Sequence, residues 1–266
     1  MLLVIDVGNT KTVLGLFAGE ELLDSWYFDT AAMTLARDAD AQLERAAALA
    51  ASHGSDIDAA AISCVVAACT GIWSDAIHAR FGVCTTVCTG STANRLGLFG
   101  ITFNNMDEIG PDLVADAIAA VAIYGAPVVI VDFGTATTVE FMTREGLFAG
   151  VSIAPGAESS MAALFRNASA IDVVPVAAPA HVLGTDTVMS VQSGIVFGEA
   201  ARADGLIDMG LAELGYTEEV PVVATGGLAE LVSAYSRRIT HVDKFLTLRG
   251  LMMLDAKART RSGDGR

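Results

Sequence analysis

Two continuous apolar runs set the frame of the chain. Leu2-Leu3-Val4-Ile5 and Val128-Val129-Ile130-Val131 are of strand length, and each ends on a carboxylate, Asp6 and Asp132. Unbroken Val/Ile/Leu runs of this length predict strands buried on both faces. After the first run, Asp6-Val7-Gly8-Asn9-Thr10 predicts a turn, Thr12–Phe17 a second strand, Ala18-Gly19-Glu20 a hairpin tip and Glu21–Phe28 a third strand. Thr34 to His53 is alanine-rich with apolar positions at helical spacing, and Gly54 ends it. A strand over Ala59–Ala67, a helix over Ile72–Arg80 and a short strand over Val83–Val87 follow. Pro111 then opens an apolar helix reaching Ala122, since a proline in the first helical turn loses no hydrogen bond.

The second half repeats the order. A strand over Val128–Asp132 leads into the turn Asp132-Phe133-Gly134-Thr135-Ala136-Thr137-Thr138, and strands over Thr137–Met142 and Leu147–Ile153 flank the tip Arg144-Glu145-Gly146. Pro155-Gly156 turns into a helix from about Glu158 to Phe165. Thr187 to Leu214 predicts one long helix or two, with Gly194, Gly198 and Gly205 as places of close packing. Val220–Ala224 predicts a strand, Thr225-Gly226-Gly227 a third glycine turn opening a helix through Tyr235, and Leu246–Arg259 a terminal helix before a frayed tail. Strand, polar turn, strand, hairpin, strand and helices, occurring twice, is the order of the actin, heat-shock chaperone and sugar-kinase superfamily. The expected fold is therefore α/β, with two ribonuclease-H-like (actin/sugar-kinase-type) domains of mixed sheets flanked by helices and an ATP cleft between them. The expected boundaries are 1–122, 123–245, a terminal helix over 246–260 packing back across the domains, and a tail over 261–266.

Composition narrows the partners. With 53% hydrophobic and 18% charged residues, the 266-residue chain has material for a sizeable core. A formal charge of −15 argues against nucleic acid or an anionic membrane as partner, while a local cation and turn amides leave ATP open. The most apolar stretch, Ala115 to Val131, is interrupted by Asp116, Gly125 and Pro127, so no membrane span is expected. The opening strand leaves no room for a signal sequence, and a cytoplasmic location is expected. Cys64, Cys69, Cys84 and Cys88 match no zinc spacing, and free thiols are expected.

The chemistry gathers at the turns. Glycine lets backbone amides approach a phosphate, while Asn9, Thr10 and Lys11 add donors and charge. Asp6 is the candidate magnesium-side carboxylate, acting through water because Mg²⁺ keeps much of its shell. A plain strand–turn held by an Asx hydrogen bond is the alternative reading of the first turn, and a simple tight turn that of Thr225-Gly226-Gly227. No Walker A or Gly-x-Gly-x-x-Gly pattern occurs, so P-loop and dinucleotide-fold readings fall away. Asp112, after Gly110-Pro111 at the start of an apolar helix, suits either a helix-end charge or a general base for an alcohol.

Five ordered motifs carry a family resemblance: Asp6-Val7-Gly8-Asn9-Thr10, Asp132-x-Gly134-Thr135-Ala136-Thr137-Thr138, Gly150-x-x-Ile153-x-Pro155-Gly156, Gly184-x-x-Thr187 with Ser193-Gly194, and Ala224-Thr225-Gly226-Gly227. Together with Leu246-Thr247-Leu248-x-Gly250-Leu251, they resemble type III pantothenate kinases from residue 2 to about 256. The resemblance implies ATP-dependent phosphorylation of pantothenate, the first step towards coenzyme A, by a homodimer needing Mg²⁺ and a monovalent cation (K⁺ or NH₄⁺). It implies that Asp6, Val7, Gly8, Asn9, Thr10, Lys11, Thr12 and Val13 hold ATP phosphates, with Thr135, Gly226 and Gly227 also on the nucleotide. Asp132 would bind the monovalent cation, Asp112 would be the catalytic base, and Phe103, Gly110, Pro111, Leu113 and Thr187 would line the acceptor.

The departures cluster on the acceptor side. The family's Gly-x-Asp-Arg is Gly110-Pro111-Asp112-Leu113 here, so the arginine that anchors the pantothenate carboxylate is missing. Phe103 stands where a tyrosine is usual, and Gly184-Thr185-Asp186-Thr187 lacks a usual lysine. Arg95 and Arg166 are candidates to replace the lost guanidinium. Two further readings stay open at this level: a kinase of the same fold with another small hydroxy acid as acceptor, and a catalytically silent nucleotide-binding regulator.

Overall fold

The structure is a computed structural model that describes residues 1–32, 36–102, 105–167 and 174–263. Phe103 and Asn104 lie outside the described residues, as does the end of the tail. The chain forms two compact units, Met1–Ala122 with Leu246–Arg266, and Ile123–Phe245.

The first unit contains β1 (Leu2–Val7), β2 (Lys11–Ala18), β3 (Glu21–Asp29), α1 (Ala36–Ser52), β4 (Ala59–Cys64), α2 (Ala67–Phe81), β5 (Thr85–Val87), α3 (Gly90–Leu96), β6 (Gly100–Ile101) and the opening of α4 (Pro111–Tyr124). Its sheet runs β3-β2-β1-β4-β5. β2 is antiparallel to β1 and β3, whereas β4 is parallel to β1 and β5 to β4. Strand alternation explains the layering. Leu3, Ile5 and Val7 point with Leu14 and Leu16 into a core closed by Leu43 and Ala46 of α1 and by Trp73 and Ile77 of α2. Each fully buried Leu, Ile or Val side chain there contributes about 1.5–3 kcal/mol. Val4 and Asp6 therefore face the other side. There Val4 lies beside Gly15, where a Cβ would stand 3.0 Å from Leu248.

The second unit holds β7 (Val128–Phe133), β8 (Ala136–Met142), β9 (Leu147–Pro155), α5 (Ala157–Asn167), α6 (Thr187–Glu213), β10 (Val222–Thr225), α7 (Ala229–Ser233) and β11 (His241–Val242). Within the unit the strand order is β11-β10-β7-β8-β9. The hairpins of the two units match in register: Asp6 pairs with Val13 and Val7 with Thr12, as Asp132 pairs with Thr138 and Phe133 with Thr137. Val129, Val131 and Phe133 pack with Val139 and Phe141 under Ala203, Ile207 and Leu211 of α6. The last helix, α8 (Leu246–Gly263), belongs to the first unit and packs on β1 and β4.

Several expectations shift. α2 starts at Ala67 and runs through Gly71, since alanine-rich flanks carry the helix past one glycine. α3 has no apolar period to announce it; Thr89 caps it by accepting from the Thr92 amide at 3.1 Å. α6 is one helix of 27 residues, capped by Asp186 accepting from Met189 N at 2.8 Å. Its close packing lies at Gly210, against the Phe141 ring. A Cβ at Gly194, Gly198 or Gly205 would meet nothing within 4 Å. α8 runs to Gly263, past the expected end, with Arg259 Nε 2.9 Å from Asp255 one turn earlier. All four cysteines are free.

Candidate functional site

In the first unit, parallel β1, β4 and β5 end on one edge, where sheet proteins of this class collect their ligands. β1 ends in Asp6-Val7, and the chain turns back at once into β2. The turn is closed by the Gly8 amide donating to Lys11 O at 3.0 Å. Asn9 and Thr10 are exposed at the tip, as is Lys11, whose ammonium stands 5.5 Å from the centre of the Tyr27 ring. Thr12 does not face outward. It is fully buried, and its hydroxyl is 2.9 Å from that of Thr30. The Thr30 hydroxyl donates to Gly8 O at 2.8 Å, so the shared proton comes from Thr12. The Thr30 amide also donates to Thr10 O at 2.8 Å. Thr30 thus fastens the turn at two carbonyls and Thr12 serves the brace. Val13 is half-buried along β2 and carries no polar group.

Asp112 sits in the first turn of α4. Its Oδ1 accepts from the Leu113 amide at 3.0 Å, while Val114 N donates to Gly110 O at 3.0 Å. Burial pushes its carboxyl above the ordinary value of 3.8, and the Leu113 amide opposes the shift in part. Cys88, just after β5, donates its thiol to Pro111 O at 3.3 Å. Burial first, and then the fields of Asp6, Asp112 and Asp116, push that thiol far up. Asp6, Asp112 and Asp116 thus all act on the one thiol that follows β5. Leu113 points into the unit and is 5% exposed. Arg95 and Arg166 are both exposed; the Arg95 carbonyl accepts from Arg261.

In the second unit, three stretches meet at Asp132. Gly134 N donates to Ala136 O at 3.0 Å, closing the turn as Gly8 closes the first. Thr135 is exposed at the tip, and its carbonyl accepts from Gly156 N at 3.0 Å and Ser159 Oγ at 2.6 Å. Gly226 has φ +90°, and a Cβ there would collide with Asp132 Oδ1 and stand 2.8 Å from Phe133 N and C. Only glycine fits both demands. The structure thus brings Asp132, Gly134, Thr135 and Gly226 together, with Gly227 next in the chain. Thr187, exposed at the start of α6, lines a separate open groove of about 650 Å³ with Leu164, Thr185, Asp186 and Ser190.

Sequence reasoning missed Thr30, whose partners lie 18 and 22 residues away. It also missed the support beneath the second turn. There the Thr137 hydroxyl donates to buried Glu199, which pairs with Arg202 at 2.6 Å, and Arg202 also donates to Pro155 O at 2.8 Å. Glu199, beside Val196, Ala200 and Ala203 on the buried face of α6, was the available signal. Among the described residues no group of three or more His, Cys, Asp or Glu side chains is arranged to hold a metal ion, and no helix is long and apolar enough to cross a membrane. A single carboxylate per turn suits a cation whose other ligands are phosphate oxygens and water.

Comparison with known proteins identifies the family. Residues 2–209 match the family described as type III pantothenate kinase. The chain is similar to type III pantothenate kinases from Roseiflexus castenholzii, 39% identical over 96% of this chain and 98% of that one, and from Myxococcus xanthus, 39% identical over 96% and 97%. Among solved structures it is similar in fold to component A of (R)-2-hydroxyglutaryl-CoA dehydratase from Acidaminococcus fermentans (TM-score 0.57, 16% identity, 98% of each chain). It is likewise similar to an ethanolamine utilization protein from Carboxydothermus hydrogenoformans (TM-score 0.54, 16% identity, 95% and 89%). With its family match spanning most of the length and near-complete relatives above 35% identity, the chain belongs to the type III pantothenate kinase family.

Proposed function

We propose that this chain transfers the γ-phosphoryl group of ATP to the primary hydroxyl of pantothenate, the first step towards coenzyme A. The observation that carries the reading is Asp112: a half-buried carboxylate of raised proton affinity at the start of α4, acting with Asp6 on the same thiol, Cys88. As the alcohol oxygen attacks the γ-phosphorus, the β–γ bridging P–O bond breaks. ADP leaves and the alcohol proton passes to Asp112.

Residues 6 to 11 act on the phosphates through the turn amides and the exposed Asn9, Thr10 and Lys11, and residues 12 and 13 by holding the turn. Thr135, Gly226 and Gly227 act on the nucleotide from their own turn. Mg²⁺, which neutralises phosphate charge when bound, suits Asp6 through water; K⁺ or NH₄⁺ suits Asp132. Gly110, Pro111, Leu113 and Thr187 belong to the acceptor side, and Phe103 keeps that assignment from the resemblance. The functional species is a homodimer, whose apolar contact surface includes exposed Leu164 and Val188. Light scattering at micromolar concentration tests this, and a monomer refutes it.

Leu113 favours a second reading, a kinase of the same fold acting on a different small hydroxy acid. ADP release measured over a panel of hydroxy acids separates the two. Pantothenate alone giving turnover supports the first, another acid outpacing it supports the second, and ATP binding without turnover on any acid refutes both.

A further inference from the structure

The closing motif Leu246-Thr247-Leu248-x-Gly250-Leu251 has no part in the chemistry above, yet it is the element that grips the helix carrying Asp112. Thr247, in the first turn of α8, donates its hydroxyl to Asp116 Oδ1 at 2.6 Å. Asp116 is fully buried and lies four residues after Asp112, on the same face of α4 one turn along. Between them on that face is Ala115. A Cβ at position 250 would collide with the Ala115 carbonyl oxygen and stand 3.0 Å from its Cα, so α8 meets the backbone of α4 directly. Leu248 Cδ1 is 3.0 Å from where a Cβ on Gly15 would stand, and Asp255 accepts from the Thr86 hydroxyl at 2.8 Å. α8 is therefore fixed to β2 and β5, the sheet that carries the phosphate turn, and fixes α4 in turn.

We propose that Thr247 and Gly250 are positioning residues for phosphoryl transfer: they set the height and rotation of α4 against the sheet, and so place the Asp112 carboxylate at the acceptor hydroxyl. The proposal rests on the reading of Asp112 as the base. Gly250 fixes how closely the two backbones approach. The Thr247–Asp116 bond fixes the register, because a buried carboxylate tolerates few other donors. A shift of about 1 Å in a catalytic group can cost about 10²-fold in rate, so a bond to the residue four positions after Asp112 has leverage on kcat.

The test compares Thr247→Val, which keeps the shape and loses the hydroxyl, with Thr247→Ser, which keeps the donor. Both are made in the full chain and again in an Asp112→Asn background. We expect Thr247→Val to lower kcat by about 10–100-fold with KM for ATP within about twofold, and Thr247→Ser to recover to within about threefold. In the Asp112→Asn background Thr247→Val should change kcat by less than about twofold, because the group it places is gone. An equal fall in both backgrounds, or wild-type kcat in Thr247→Val, overturns the positioning role and leaves Asp112 as base. Wild-type kcat in Asp112→Asn overturns the base reading and this proposal with it. Should Thr247→Val not fold, Thr247→Val with Asp116→Leu replaces the bonded pair by apolar groups of like size. The same loss of kcat is expected there, and wild-type kcat again overturns the role.

Discussion

Thr30→Val isolates the brace behind the first phosphate turn. The substitution keeps the β-branched shape and removes one hydroxyl, and with it the bonds to Gly8 O at 2.8 Å and to Thr12 at 2.9 Å. Thr12 is fully buried, so its hydroxyl loses its acceptor without gaining water. One net hydrogen bond is worth about 1 kcal/mol, and an orphaned buried hydroxyl costs about 1–3 kcal/mol. The sum is about 2–4 kcal/mol. At roughly 3–4 °C per kcal/mol for a unit of this size, Tm falls by about 6–16 °C. The turn also loses the tie that holds Gly8 O, so KM for ATP should rise several-fold while KM for the acceptor stays near wild type. Thermal denaturation followed by circular dichroism, with steady-state kinetics at saturating acceptor, reads both effects. Thr30→Ser, which restores the hydroxyl, should recover most of each. A Thr30→Val protein melting within about 1 °C of wild type, with unchanged KM for ATP, would refute the reasoning.

Other substitutions probe the remaining parts. Burial raises the Asp112 pKa above 3.8, so the folded state keeps that proton to higher pH than the unfolded chain does. The contribution of Asp112 to stability is therefore greatest below about 4 and declines as pH rises through the folded value. Asp112→Asn removes this penalty, so its Tm should match wild type near pH 3.5 and exceed it at pH 7; a constant offset across that range contradicts the sign. Gly226→Ala forces a side chain to φ +90° and into Asp132. It should destabilise by at least about 2 kcal/mol and abolish any potassium dependence of nucleotide binding measured by calorimetry. Leu113→Arg should lower KM for pantothenate by pairing its carboxylate, while lowering Tm because the 5% exposed site buries charge. An unchanged KM places the carboxylate elsewhere.

What the sequence made legible is what local chemistry dictates. The runs before Asp6 and Asp132 are strands because nothing in them is polar, and each turn follows because a carboxylate and glycine end the run. Asp112 could be singled out because Pro111 marks a helix start. What stayed hidden depends on partners far along the chain. Thr12 reads as a phosphate ligand until Thr30 is seen to take its hydroxyl. Gly194, Gly198 and Gly205 read as contact points, yet the contact falls at Gly210, because only the sheet's position decides which side of α6 meets Phe141. Asp116 reads as an interruption in an apolar stretch until Thr247, 131 residues on, supplies its donor. α3 escaped notice because, at seven residues, it buries only Gly90, Ala93 and Leu96, too few to show a helical period, and its clearest mark is the Thr89 cap.

The measurement closest to the central claim follows the product directly. Wild-type chain and Asp112→Asn are incubated with ATP, Mg²⁺, K⁺ and pantothenate, and the phosphorylated acceptor is identified by phosphorus NMR and mass spectrometry. The account predicts a phosphate monoester on the primary hydroxyl of pantothenate, formed about 10²–10⁴-fold more slowly by Asp112→Asn at unchanged ATP affinity. Phosphopantothenate formed equally fast by both proteins, or none formed by a wild-type chain that binds ATP, would contradict it.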